Sequence, residues 1–242
     1  MSKPILSDDK DQPKNLLEEL QNSLIRRFSR VPLSHGPIVY EFTNDRALLH
    51  QYYRLREIMY RKVFKTDKFM GEEDVHDKIS HILIARRGKL CIGGCRLTIR
   101  EADENFLLPM ETPDFKLRSI FPNLPLRKLC HGEFSRFAII DEDEDKMEIM
   151  LAMSRLMIEK CVNSELGFVF LKSNLLMAHN WRKIIHNHCG QKNVRICREI
   201  KVPEIPIHPE ITWYITEVPL PAAEITHYEK DALVRPIESL VH

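Results

Sequence analysis

Glu133, Ser135 and Arg136 sit in HGEFSRFAII, a run that alternates like a strand and leads into five consecutive acids, Asp141 to Asp145. A carboxylate on a half-buried strand is costly unless it is paired or hydrogen-bonded. Burial also raises its proton affinity, which suits it to take a proton from a nucleophile near neutral pH. Alternation places Glu133, Ser135, Phe137 and Ile139 on one face, and Phe134, Arg136, Ala138 and Ile140 on the other. More charge stands upstream. Asp74 and Asp77 lie three apart in EEDVHDKISHILI, Arg96 interrupts an apolar strand, and Arg56 sits in LREIMY beside a helical apolar stripe. Each alone is compatible with a solvated face or a structural ion pair. Turned inward together, they would form a network around one site.

The elements that must carry these residues follow from periodicity. Leu48, Tyr52, Leu55 and Met59 recur at helical spacing after the capping signal Thr43-Asn44-Asp45, which predicts a helix from there through Tyr60. Residues 61–78 read as a charged loop. Strands are expected at 38–42, at 81–87 and, after a turn at Gly88, at 89–100, with Gly93-Gly94 marking a bulge or a close backbone approach. Residues 101–129 read as irregular. A strand at 133–140, a helix at 146–162, a strand at 167–171, a helix at 177–188 and strands at 194–200 and 212–218 complete the order. Hairpins mixed with helical crossovers point to a mixed α/β class, a mostly antiparallel sheet with helices on both faces. A second amphipathic helix is expected at 16–31, with Leu17, Leu20, Leu24 and Phe28 on its apolar face. The organisation reads as an extension over 1–36, one domain over 37–220 and a tail over 221–242. The helix of the extension offers a lid or an oligomer contact.

The 242 residues carry a formal net charge of +1 and 43% hydrophobic residues, enough for a core and without an excess of charge that would favour nucleic acid. No apolar run approaches the roughly 18 residues of a membrane span, and the polar first residues do not read as an export signal. Six cysteines, mostly in apolar segments, read as reduced core thiols of a cytoplasmic protein. His186, His188 and Cys189 are too crowded at a helix end for the usual zinc spacing, so no metal centre is expected.

Taken in order, Leu55-Arg56 with Tyr60, then Asp74 and Asp77, then Gly93, Arg96 and Leu97, then Phe121, Pro122 and Leu124, then Glu133, Ser135, Arg136 and Phe137 resemble the acyl-homoserine-lactone (autoinducer) synthases of quorum sensing. They are also similar to the related N-acyl amino acid synthases. The likeness spans roughly residues 38–140. It implies a GNAT-like acyltransferase fold and transfer of a fatty acyl group from acyl-acyl carrier protein, or acyl-CoA, to an amine. S-adenosylmethionine as acceptor would give an acyl-homoserine lactone, and an amino acid would give an open N-acyl amino acid. No bound cofactor is implied.

On that resemblance Glu133 and Ser135 are the catalytic candidates. Arg56, Tyr60, Phe69, Asp74, Asp77, Arg96, Arg136 and Phe137 surround the substrate. Met150, Met153 and Met157 read first as core, and with Phe170 they would suit an acyl pocket, because methionine fills irregular apolar space. Arg127 and Lys128, or Arg182 and Lys183, are candidates for docking the acidic carrier. The acids from 141 to 145 stand where acetyl-CoA enzymes of such a fold place a glycine-rich anion loop. They would repel a pyrophosphate and favour a carrier-borne pantetheine. The rival readings are a CoA-dependent acetyltransferase and an acyl-binding module without catalysis.

Overall fold

Seven period-two segments pair into one sheet. The computed structural model describes residues 36–140, 144–204 and 210–222. The helix expected at 16–31, the acids Asp141 to Asp143 and residues 223–242 of the tail lie outside the described residues. The strands are β1 (Ile38–Phe42), β2 (His81–Arg87), β3 (Leu90–Arg100), β4 (His131–Ile139), β5 (Phe168–Ser173), β6 (Arg195–Cys197) and β7 (Tyr214–Pro219). The helices are α1 (Arg46–Phe64), the single-turn α2 (Leu117–Ile120), α3 (Lys146–Asn163) and α4 (Leu175–Cys189). Sheet order is β1-β2-β3-β4-β5-β7-β6. Neighbours are antiparallel except β4 and β5, which run parallel. This is the mixed, mostly antiparallel sheet with helices on both faces expected from the sequence.

Helices cover both faces. A Cβ at Gly94 would come within 2.3 Å of the Tyr52 ring of α1, whereas one at Gly93 would meet Met153 of α3 at 3.4 Å on the opposite side. The expected close approach at this glycine pair is therefore real. On the α1 face, the segment between β3 and β4 folds back onto the sheet. Leu108, Met110, Phe115, Leu117, Phe121 and Leu126 pack with Phe168, Phe170, Trp213 and Ile215 into one apolar cluster.

Asp45 caps α1 by accepting from the amides of Ala47 (2.8 Å) and Leu48 (3.1 Å). The helix runs one turn beyond the expected end at Tyr60. An Arg61–Glu57 pair at 2.8 Å spans that turn, and Phe64 packs on Tyr60 and Trp213, so tertiary contact carries the helix through residues that look like loop. Among the described residues no helix is long and apolar enough to cross a membrane. All six cysteines are free thiols, with Cys91, Cys95, Cys161 and Cys197 buried.

Candidate active site

A single extra residue in β4 shapes the site. Gly94 faces Ala138 and Arg96 faces Ser135, so the one residue between them on β3, Cys95, is matched by two on β4, Arg136 and Phe137. Arg136 takes up the extra residue with φ of 57°, in the left-handed region that non-glycine residues seldom occupy. The Tyr52 hydroxyl donates to the Arg136 carbonyl at 2.6 Å and pins the bulge from α1. Strict alternation is broken here, and the face assignment made from it is corrected. Arg136 turns to the side of Glu133 and Ser135. Phe137 joins Phe134 on the other face, where both pack edge-on against Trp181 of α4 at 5.1 and 5.2 Å.

The four charged residues upstream converge as a buried network. Arg56, 1% exposed, donates to both Asp77 oxygens at 3.1 and 3.0 Å and to the Glu72 carbonyl at 2.6 Å. Its guanidinium also lies over the Tyr52 and Tyr53 rings. Arg96, equally buried, joins the two acids: its Nη1 donates to Asp74 at 2.7 and 2.9 Å and to Asp77 at 2.9 Å. Its Nε donates to Ser135 Oγ at 3.2 Å, which places Ser135 in the network. Arg136 reaches Asp74 at 3.3 Å and covers the Phe69 ring, which stacks on Tyr60 at 4.8 Å. Burial acts to raise the Asp74 pKa, but Arg96, the Asp77 amide and Arg136 together outweigh it and the carboxyl falls to about 2. Asp74 is thus firmly ionised and still 30% exposed, a fixed negative charge at the edge of the network.

Glu133 lies beside this network on β4, with 3% of its surface exposed. Its Oε2 accepts from the Met110 amide at 2.6 Å. Burial raises its pKa to about 7, against the opposing pull of Arg96, the Met110 amide, Arg136 and Lys172. It is also where the sheet comes apart. β4 and β5 pair at His131–Phe168, Gly132–Val169 and Glu133–Phe170, and there the ladder stops although both strands run on. A carboxylate that titrates near neutrality therefore stands at the mouth of a gap between two strands.

The amide that meets Glu133 is itself held by a second buried cluster, which the sequence reading missed. Arg100 grips Glu111 at 2.6 and 3.1 Å, and Glu111 accepts from the amides of Leu108 (2.8 Å) and Leu117 (2.7 Å), on either side of Met110. Arg100 also donates to His131 Nε2 at 3.1 Å, so the ring proton sits on Nδ1 and faces the Leu129 carbonyl at 3.0 Å. Burial lowers the His131 pKa to about 4, and the ring is neutral at physiological pH. One sequence signal was available: an acid in the apolar run LLPMETPDF. Replacing Glu111 with Gln should weaken hydrogen bonds to a charged partner and destabilise the fold by about 1.5–3 kcal/mol. Limited proteolysis should then cut first within 101–129. Cleavage spread evenly over the chain would show that this cluster does not anchor the segment.

No protein-family model matches the sequence, and no curated protein matches it. Many solved structures are similar to it, among them three synthases. The acyl-homoserine-lactone synthase LasI aligns over 80% of this chain and 96% of its own, at 15% identity and a TM-score of 0.48. The CoA-dependent acyl-homoserine lactone synthase BjaI, solved with SAM and isopentyl-CoA, aligns over 79% and 88%, at 17% identity and a TM-score of 0.49. FeeM, an N-acyl amino acid synthase from uncultured soil microbes, aligns over 76% and 90%, at 8% identity and a TM-score of 0.48. The likeness is one of fold.

The other expected site residues divide. Arg56, Tyr60, Phe69, Asp74, Asp77, Arg96, Ser135 and Arg136 form one connected set around Glu133. Phe137 does not join it, because the bulge turns it away. The four residues grouped as an acyl pocket are split by the sheet. Phe170 stacks on Phe121 in the cluster of the α1 face, whereas Met153 contacts the opposite face at Gly93. On α3, Met153 and Met157 are core, Met150 is half-buried and Met147 is exposed, so the stripe behaves as packing. Arg127 and Lys128 are exposed and line a cavity of about 230 Å³ together with Pro122 and Pro125, and Arg182 and Lys183 are exposed on α4. Asp145, the last acid of the run, is in an ion pair with the buried Arg87.

Proposed function

We propose that the protein is an N-acyltransferase that moves an acyl group from a thioester to an amine, with Glu133 as the base. The single observation that carries this reading is Glu133 itself: a nearly buried carboxylate, titrating at about 7, placed where β4 and β5 separate. An α-amino group has a pKa of about 8 and must lose a proton before it attacks a thioester. A carboxylate poised near neutrality is suited to take it. The first acceptor reading, carried by the resemblance, is an amine that bears a second, permanent positive charge. S-adenosylmethionine is such an acceptor, and its sulfonium would let the acylated product close to a lactone. An ordinary amino acid is the alternative acceptor and gives an open product.

The donor is read as a fatty acyl thioester on an acyl carrier protein, docked by Arg127 and Lys128 or by Arg182 and Lys183. A CoA thioester is the second reading. One observation favours it: the Arg87 pair offsets the charge of Asp145, so repulsion of a pyrophosphate at the start of α3 is weaker than the bare acidic run implies. The extension over 1–36 is read as a lid or an oligomer contact. Incubating the purified protein with acyl-carrier protein or acyl-CoA, together with S-adenosylmethionine or each amino acid, should yield an amide identifiable by mass. The carrier that supports turnover decides the donor. Failure of every pairing to give an amide overturns the acyltransferase reading.

A further inference from the structure

Glu133 accounts for one proton, but acyl transfer moves two: one leaves the amine and one must reach the departing sulfur. We propose that Lys172 is the second proton carrier, the acid that protonates the leaving thiolate, an assignment that rests on the acyltransfer reading above. Lys172 lies on β5 two residues past Phe170, the last residue paired with β4, and so shares the face of Phe170 and Glu133 just beyond the point where the ladder stops. It is half-buried, and its ammonium lies 5.9 Å from the Trp213 ring. Among the described residues it meets no hydrogen-bond acceptor. The indole Nε1 of Trp213 is likewise a buried donor without a partner among them. Two unspent donors beside a gap in a sheet call for a group rich in negative charge, and a thiolate forming there would be one.

The charged surroundings fit this role. From β4, Glu133 faces Lys172 and favours its protonated form, while burial disfavours it, with the net effect of lowering its pKa. On β7, Glu217 pairs with Phe170 in the ladder and is already engaged by Arg195 at 2.7 Å. That leaves Glu133 as the acid bearing on Lys172. The step balances within these two residues. The amine nitrogen bonds to the acyl carbon and the carbon–sulfur bond breaks. Glu133 takes the proton from nitrogen, and the Lys172 ammonium gives one to sulfur. Passage of the proton from Glu133 to Lys172, directly or through a water, restores both groups.

The test varies the leaving group. Thioesters of one acyl chain are prepared on pantetheine and on thiophenol, whose lower pKa makes it leave without help. Lys172→Met should slow amide formation from the pantetheine ester by about 10²–10³-fold, within the range of a lost general acid. On the thiophenyl ester it should slow it by less than about tenfold, and Lys172→Arg should resemble the Met variant on both because arginine does not release its proton. Equal losses on the two esters, or no loss, overturn the assignment while leaving acyl transfer intact. A wild-type protein inactive with every thioester overturns both readings. An arm that needs no turnover is competitive acetic-anhydride labelling across pH. Lys172 should label at lower pH than surface lysines, and Glu133→Gln should move its midpoint lower still. An unmoved midpoint would show that the two residues do not share a proton, and the assignment fails.

Discussion

Changing Glu133 to Gln should slow amide formation by about 10²–10⁴-fold while making the protein more stable in mild alkali. The two effects share one cause. The carboxyl has an ordinary pKa of 4.5 and is raised to about 7 in the fold, chiefly by burial. Between those values the folded state holds a proton that the unfolded state has released, so stability falls as pH rises through the window and is lowest once the folded carboxyl ionises. The penalty is on the order of 3 kcal/mol. Glutamine never pays that cost, so denaturant midpoints of wild type and variant should converge near pH 4 and diverge by pH 8. Activity runs the other way: the wild-type rate should climb on an acid limb centred near pH 7, and the variant should lack that limb. A variant that keeps its rate, or midpoints that track each other across the whole range, would remove Glu133 from the chemistry.

The second large effect is structural. Asp77 is fully enclosed and accepts from Arg56, from Arg96 and from the Asp74 amide at 2.9 Å. Asp77→Asn leaves two buried guanidiniums with Asp74 as their remaining carboxylate. Breaking such a pair from one side costs about 3–5 kcal/mol, and the thermal midpoint should drop accordingly. Acid should act through Asp74 in the same direction. Its folded pKa of about 2 lies below the ordinary 3.8, so its stabilising contribution is whole above that value and disappears as pH falls toward 2. A midpoint that stays put in Asp77→Asn would mean that this network contributes little to the fold.

Much of this arrangement could be read from residue order because it depends on local patterns. Asp45 announces the start of α1, Gly88 takes φ of 57° at the β2–β3 turn, and Asp74, Asp77 and Arg96 stand out as charges at the borders of apolar runs. What could not be read depends on events without a local signature. Nothing in GEFSRF marks which residue takes a positive φ, and that one choice sends Arg136 and Phe137 to opposite faces. The segment 101–129 looks irregular because its order comes from Arg100 and Glu111, partners joined across a loop rather than by period. Lys172 escaped notice because a single lysine in a strand is unremarkable until its neighbours are known. The methionines of α3 fitted an apolar tunnel and an apolar core equally well by type, and packing against Gly93 decided between them for Met153.

Tyr52 has a consequence for redesign. Its ring fills the volume that any side chain at 94 would need, and its hydroxyl reaches across to the carbonyl at 136. Positions 52 and 94 are therefore a matched pair. Enlarging one requires trimming the other, and a trimmed residue at 52 gives up its grip on the bulged backbone of β4. Libraries that diversify these two sites independently will be dominated by failures, whereas libraries that vary them together can search for altered specificity.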